Sequence, residues 1–260
     1  MESSRRKFIK IAGISALGLG VKPVFNVFAS SEEHGRKSEI RKSKDALTAE
    51  HWGMVIDTRK LTTAEDVEPI INACNKTHNI PDHQNKNHEI KWIWEEEYEH
   101  AFPGKENKYL NERLEHLPFL VLCNQCEDPP CCRACPTKAT FQREDGIVMM
   151  DFHRCIGCRF CMAACPYGSR SFNFRDPRPF IKEKNNEFPT RMKGVVEKCN
   201  FCAERLAVGK KPACVEASNG AIAFGDLGDP GSEVRELLRE NYTIRRKQGL
   251  GTGPSVYYIV

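Results

Sequence analysis

The sequence predicts a loop-rich α+β fold whose architecture is set by cysteine groups rather than by one long hydrophobic pattern. Three observations lead to it. The 260 residues carry thirteen cysteines, and twelve of them crowd between Cys123 and Cys214. Strand-like runs are short and bounded by Gly, Asp and Pro. Only two stretches space their apolar residues as a helix face does. The length suffices for one sizeable core or two small ones.

Residues 30–50 mix Ser with Lys, Arg and Glu and read as a flexible linker. Gly53-Met54-Val55-Ile56-Asp57 is the first strand. Residues 64–77 place Val67, Ile70, Ile71 and Cys74 at three- and four-residue spacing, one face of a helix. Residues 78–109 are polar and read as a surface insertion. Phe119-Leu120-Val121-Leu122 is a buried strand leading into the first dense cysteine group. Residues 140–143 and 147–150 flank Glu144-Asp145-Gly146, and Asp-Gly between two β-prone runs signals a hairpin. Residues 221–224 form another short strand. Ser232 caps a helix running through Leu237 and Leu238 toward Glu240. The tail, with Val256, Tyr257, Tyr258 and Ile259, is expected at a sheet edge.

The first 29 residues read as an address. Ser4-Arg5-Arg6-Lys7-Phe8-Ile9-Lys10 resembles the twin-arginine export motif, with Ile where Leu is commoner. The apolar residues 11–21 are too few to span a bilayer and suit a signal h-region. Val27-Phe28-Ala29, small or moderate in size, offer a cut after Ala29; the segment is either removed there or kept as an anchor. A buried N-terminal helix is the other reading. Export by this route carries folded proteins, which suits a chain loaded with cofactors beforehand. It implies the periplasmic, extracytoplasmic face of the cytoplasmic membrane. Arg5, Arg6, Lys7, Lys10 and Lys22 against Glu2 account for the whole net charge of +4. The rest is balanced, and no basic patch argues for nucleic acid.

Cys155-Ile156-Gly157-Cys158-Arg159-Phe160-Cys161-Met162-Ala163-Ala164-Cys165-Pro166 is the bacterial ferredoxin run. Four thiolates at that spacing bind cubane clusters, and in two-cluster proteins the fourth serves the neighbouring cluster. Before it stands Cys123-x2-Cys126-x4-Cys131-x3-Cys135-Pro136, with Cys132 inside. After it stands Cys199-x2-Cys202-x11-Cys214, and the position due for a fourth cysteine is Ser218. A disulfide framework is the alternative for an exported chain, but the count is odd and the cysteines are crowded. Structural zinc shares the Cys-x2-Cys spacing. It explains neither the third cysteine of the run nor the closing Cys-Pro.

These groups, with Lys198-Cys199-Asn200-Phe201-Cys202, Pro212-Ala213-Cys214 and Gly251-Thr252-Gly253-Pro254-Ser255-Val256-Tyr257-Tyr258, resemble a known family. They are similar to the four-cluster electron-transfer subunits of the dimethyl-sulfoxide and polysulfide reductases, over residues 51–260. The resemblance implies tandem bacterial-type ferredoxin domains in a pseudo-two-fold arrangement. Residues 51–120 and 195–226 would form an outer half, 121–194 an inner half, and 227–260 a C-terminal helix and tail. In that family cysteine groups pair outer with outer and inner with inner. Each cluster takes three thiolates from one group and one from its partner. The outer N-terminal group departs here: Arg59-Lys60-Leu61 stands where Arg-Lys-Cys is expected, and Cys74 alone remains. All the losses, Ser218 included, fall on one cluster.

The resemblance therefore implies three [4Fe–4S] clusters. Cys74, Cys199, Cys202 and Cys214 hold the first; Cys123, Cys126, Cys131 and Cys165 the second; Cys135, Cys155, Cys158 and Cys161 the third. Cys132 is left over, the spacing favouring Cys131. Rival readings are a buried structural thiol at Cys74, and a three-iron cluster or Ser218 ligation in the last group. Residues 170–180, with the N-terminal motif, resemble the iron–sulfur subunits of Dsr complexes, the heterodisulfide-reductase-like, menaquinol-oxidising membrane complexes linked to sulfite reduction. That implies a hetero-oligomer with an integral membrane quinone-reacting subunit of polysulfide-reductase type and a multihaem cytochrome c. A molybdopterin oxidoreductase subunit is the alternative.

No nucleophile, acid–base pair or nucleotide loop stands out, so no catalytic site of the chain's own is expected. Ile147, Ile156, Phe160, Met162 and Phe201 are expected to shield the clusters, with Gly157 and Gly168 allowing close backbone approach. His78, His83 and His88 read as solvated loop residues. Arg170, Arg175 and Arg178 suit a docking surface, salt bridges or packing against the clusters.

Overall fold

In the computed structural model, residues 40–105 and 108–260 are described. The expected export segment and residues 30–39 of the expected linker lie outside them. In chain order the first elements are β1 (Trp52–Asp57), α1 (Ala64–Thr77), β2 (Ile93–Glu96), α2 (Tyr98–Ala101), α3 (Glu112–Glu115) and β3 (Phe119–Leu122). The middle holds α4 (Pro130–Arg133), β4 (Thr140–Gln142), β5 (Val148–Met150), α5 (Phe160–Ala163), β6 (Ser171–Phe172) and β7 (Val196–Glu197). α6 (Ala203–Leu206), α7 (Ala213–Glu216), β8 (Ile222–Asp226), α8 (Glu233–Glu240), β9 (Thr243–Ile244) and β10 (Val256–Ile259) complete the protein. Mixed helix and sheet is the class expected. Among the described residues no helix is long and apolar enough to cross a membrane.

One sheet, in the order β8-β1-β10-β9, organises the core. β1 pairs antiparallel with β8, Met54 opposite Phe224, and parallel with β10, Met54 opposite Val256. Side chains alternate across the pleat. Val55, Ala223 and Ile259 therefore pack under Val234 of α8 on one face. Met54, Ile56, Val256 and Tyr258 face the main core on the other, with α1 and β3. α1 spans the residues its periodicity predicts, and α8 starts at the predicted cap, where Ser232 Oγ accepts from Arg235 N at 3.4 Å. The hairpin forms as β4 against β5, with Gly146 at φ +81.

Two expectations are corrected. Residues 78–109 are not a surface insertion: Ile90, Trp92, Ile93, Tyr98, Ala101 and Phe102 are buried in the main core. β2 pairs with β3, and Phe102 meets Phe119 and Tyr258 edge-on at 5.2 Å. The tail is not an edge strand either. β10 lies inside the sheet because the distant β1 pairs with it, and the short β9 takes the edge.

The core also encloses an ion pair. Arg191 Nη2 and Glu197 Oε2 lie 2.7 Å apart with both side chains 0% exposed. Trp92 Nε1 and Asn173 Nδ2 donate to the same carboxylate, and Arg191 donates to the carbonyls of His78, Asn79 and Pro189. Removing one partner of such a pair leaves a buried charge uncompensated. Arg191→Met is expected to lower the unfolding free energy by about 3–5 kcal/mol, read by chemical denaturation.

Candidate metal centres

Each dense cysteine group is a turn followed by a one-turn helix, and the turns repeat. The residue just before the second cysteine of each Cys-x2-Cys is left-handed: Gln125 at φ +44, Gly157 at φ +70 and Phe201 at φ +53. That backbone costs energy for a side chain other than glycine, yet recurs at all three places. In the last group it points Phe201 N at Cys199 Sγ, 3.4 Å away. At Gly157 a Cβ would come within 2.6 Å of Gly194 O, so the close approach is to that loop.

The helix turns repeat as well. Cys135 N donates to Cys132 O, Cys165 N to Met162 O, and Ser218 N to Val215 O, at 3.2–3.3 Å. Ser218 thus stands where Cys135 and Cys165 stand in their own groups. Its hydroxyl donates to Val215 O at 2.7 Å and accepts from Ile222 N at 3.1 Å, a purely local role. Leu61 is buried in the core, and Lys60 Nζ donates to Gly220 O beside Ser218 at 2.9 Å.

Thiols from different groups meet. Cys123, Cys126, Cys131 and Cys165 line one small cavity with Asn124, Pro129, Pro130, Val148, Tyr167 and Arg170. Burial, then the neighbouring Cys123 sulfur, pushes Cys126 up to about 12. The Cys132 thiol donates to Cys131. That bond, with Arg170 and Lys198 nearby, holds Cys131 below the ordinary thiol value despite burial. Beside this cavity, Cys161 lies within the electrostatic reach of Cys131 and Cys135, and Cys155 packs in the same apolar cluster. Burial raises Cys135, but amides of Thr140, Thr137 and Ala139 and the Thr137 hydroxyl outweigh it. Amides of Tyr167 and Ser169 bond to Cys165 in the same offsets, though burial still keeps that thiol raised. Cys158 is exposed.

Cys74, Cys199, Cys202 and Cys214 form a deeper set, each at most 7% exposed. Burial raises all four thiols; Cys199 and Cys214 add to the effect at Cys74, and Cys214, Glu204, Cys74 and Cys199 at Cys202. His78 belongs here and is not solvated. It stacks on Trp92 at 4.4 Å, its Nε2 lies 2.7 Å from Glu204 Oε1, and its Nδ1 lies 3.6 Å from Cys74 Sγ. His83 and His88 are half-buried against Phe180 and Phe174, also away from the expected solvent. Only the four-residue step from Cys74 to His78 along α1 signals this placement in the sequence.

The expected apolar shield is realised in part. Ile147 and Phe201 are buried, whereas Ile156 is 67% and Phe160 60% exposed, because the turn carrying Cys158 lies at the protein's rim. Met162 is half-buried. Of the arginines, Arg170 packs against thiols, while Arg178 pairs locally with Asp176.

Three observations test which group these thiols fit. All thirteen cysteines are free rather than bridged. Zinc, with bonds of about 2.3 Å in a tetrahedron, needs sulfurs about 3.8 Å apart. Among the described residues no three cysteine sulfurs lie within 4.8 Å of one another; only His78/Cys202/Glu204 and Glu97/Glu99/His100 meet that distance. Finally, Arg170 and Lys198 are 5% and 1% exposed, and among the described residues no carboxylate pairs with either. Among the described residues Lys198 Nζ donates to the carbonyls of Val148 and Cys199 alone. Asn124, at the cavity, has no partner for either side-chain polar atom among the described residues. Buried cations need nearby negative charge, and widely spread thiolates around an anionic cubane provide it.

Comparison with known proteins agrees. A family model for a 4Fe-4S dicluster domain matches residues 115–178. The chain is 38% identical over 276 residues to the Hdr-like menaquinol oxidoreductase iron-sulfur subunit 1 of Archaeoglobus fulgidus, spanning 98% of this chain and 97% of that protein. The protein belongs to this family of iron–sulfur subunits. It is also 38% identical over 234 residues to the menaquinone reductase iron-sulfur cluster-binding subunit of Nitratidesulfovibrio vulgaris, covering 80% and 88%. With a polysulfide reductase subunit of Wolinella succinogenes it shares 40% over 139 residues, 53% of this chain and 64% of that one. The dicluster domain and its cysteines indicate [4Fe–4S] clusters.

The thiol environments predict an order of reactivity in the iron-free protein. Cys135 is held low and half-exposed, whereas burial keeps Cys74, Cys199, Cys202 and Cys214 protonated at pH 7. Timed alkylation read by peptide mass spectrometry is expected to label Cys135 well ahead of those four.

Proposed function

We propose that this subunit relays electrons through three [4Fe–4S] clusters in a membrane-bound respiratory complex. Cys74, Cys199, Cys202 and Cys214 hold the first, Cys123, Cys126, Cys131 and Cys165 the second, and Cys135, Cys155, Cys158 and Cys161 the third. The observation that carries the reading is the convergence of thiols from separate groups beside buried cations that lack carboxylate partners. When bound, the cubanes supply reversible one-electron transfer with no open coordination position. The chain's own residues do the rest. Ile147, Val148 and Phe201 exclude water, and amides directed at Cys135, Cys165 and Cys199 stabilise the thiolate form.

The repeated turns support two ferredoxin-like halves about a pseudo-two-fold axis, the outer from residues 51–120 and 195–226 and the inner from 121–194. Leu61 and the locally bonded Ser218 support the loss of a fourth cluster. The subunit acts at the periplasmic face after twin-arginine export. Within a Dsr-type complex linked to sulfite or sulfate reduction, it passes electrons between an integral membrane quinone-reacting subunit of polysulfide-reductase type and a multihaem cytochrome c. The near-complete coverage of the Archaeoglobus menaquinol oxidoreductase subunit supports this choice. At the third site the exposed Cys158, Ile156 and Phe160 offer an apolar face for electron exchange with a partner.

Metal and sulfide analysis tests the reading. About twelve irons per chain, with equal sulfide, are expected for three cubanes. About sixteen contradicts the loss of one cluster, and zinc without iron removes the electron-transfer reading altogether. Cys74→Ala is expected to lose about four irons and Cys132→Ala none; full iron in the first variant takes Cys74 off the ligand set.

A further inference from the structure

We propose that Arg170 is an electrostatic bridge shared by the second and third cluster sites, one fixed cation that raises both reduction potentials together. The inference rests on the cluster sites proposed above.

Arg170 follows the run that ends at Cys165-Pro166 and precedes β6. It is 5% exposed. Its guanidinium is a fork held at both tines. Nη2 donates to Cys131 Sγ at 2.9 Å, and Nη1 donates to Thr140 Oγ1 at 3.0 Å, with Met150 Sδ 4.0 Å away. The same side chain lines the cavity of Cys123, Cys126, Cys131 and Cys165, and Cys161 packs with Cys131 and Met150 in one buried cluster beside it, within electrostatic reach of the guanidinium. Cys131 belongs to the second site and Cys161 to the third, so one cation bonds a thiol of the second site and lies beside a thiol of the third.

The charge on this group is permanent, because arginine does not lose its proton in proteins. Burial works against it, yet the sulfurs of Cys131, Cys161 and Cys123 outweigh burial and strengthen its hold on the proton. No carboxylate among the described residues shares that task. The balancing negative charge is therefore that of the thiolates and of the group they hold.

The consequence for electron transfer has a definite sign. Adding one electron to either site adds one negative charge next to a fixed positive one in a dry interior. The cation stabilises the reduced form more than the oxidised form, so both potentials stand higher than they would beside a neutral side chain. The hydrogen bonds of Arg170 go to Cys131, Thr140 and Met150, and none goes to Cys74, Cys199, Cys202 or Cys214 among the described residues. The first site therefore serves as the internal reference.

The test is a potentiometric titration of the cluster-loaded full-length protein, monitored by electron paramagnetic resonance. The signal of the first site is assigned from its loss in Cys74→Ala. In Arg170→Gln, the reduced-to-oxidised ratio of the second and third sites at fixed potential should fall about tenfold, or about 59 mV for a one-electron couple. The first site should hold its value, and Arg170→Lys, which keeps the charge, should recover most of the loss at both sites. Unchanged potentials with iron retained, or a shift at one site alone, overturn the proposal. Where Arg170→Gln does not keep its iron, Arg170→Lys decides: near-native potentials support the role of charge. A full shift in that variant, or iron loss there too, assigns Arg170 a structural role only. Wild-type protein without iron–sulfur clusters would instead overturn the proposed function on which this rests.

Discussion

The buried pair of Arg191 and Glu197 joins the parts of the chain on which the deepest thiol set depends. Glu197 lies two residues before Cys199, and the carbonyls that Arg191 grips, those of His78 and Asn79, follow closely on Cys74. More than a hundred residues of sequence separate those ends. A pair with no solvent exposure depends on the hydrogen bonds around it, and here Trp92, Asn173 and three carbonyls supply them, while among the described residues Arg191 Nε has no partner. The ion pair thereby holds the end of α1 against the last cysteine group. Without that, Cys74 is a thiol on a helix face far in sequence from any partner.

Charge is also what distinguishes the thiol-rich interior from an ordinary core. Arg170 and Lys198 sit deep in the protein with no carboxylate facing them among the described residues, while thiols surround them. Glu204, in contrast, is matched inside the same region. Burial opposes its charge, but the bonds from His78 and Asn200 hold its carboxyl below the usual value. Cations beside thiols are the arrangement expected where an anionic group is bound, whereas Glu204 opposes the thiolates of Cys74 and Cys202 and keeps its own charge through His78 and Asn200.

Much of this was legible in the sequence, where the signals are local. The helix at Ala64–Thr77, the Ser232 cap and the Asp-Gly hairpin all act within a few residues, and each takes the predicted form. Nonlocal features were not legible. Trp92, Ile93, Tyr98 and Phe102 are diluted by charged neighbours, so residues 78–109 average as polar while their apolar members insert into the core. The tail looks like an edge strand until its parallel partner, some two hundred residues earlier, is known. Ile156 and Phe160 belong to a metal-binding run, but position at the rim, not hydrophobicity, sets their exposure. The repeated left-handed turns at Gln125, Gly157 and Phe201 were hidden for a different reason: only one of the three is glycine.

The central claim is that each cluster takes three thiolates from one cysteine group and the fourth from another. Diffraction from the cluster-loaded protein at the iron absorption edge tests it directly, because anomalous peaks locate iron and the neighbouring sulfurs can then be assigned. The account predicts three cubanes, with Cys165 on the cluster of Cys123, Cys126 and Cys131, Cys135 on that of Cys155, Cys158 and Cys161, and Cys74 on that of Cys199, Cys202 and Cys214. Iron beside Ser218 and Leu61, or a cluster held by Cys155, Cys158, Cys161 and Cys165 alone, would contradict it.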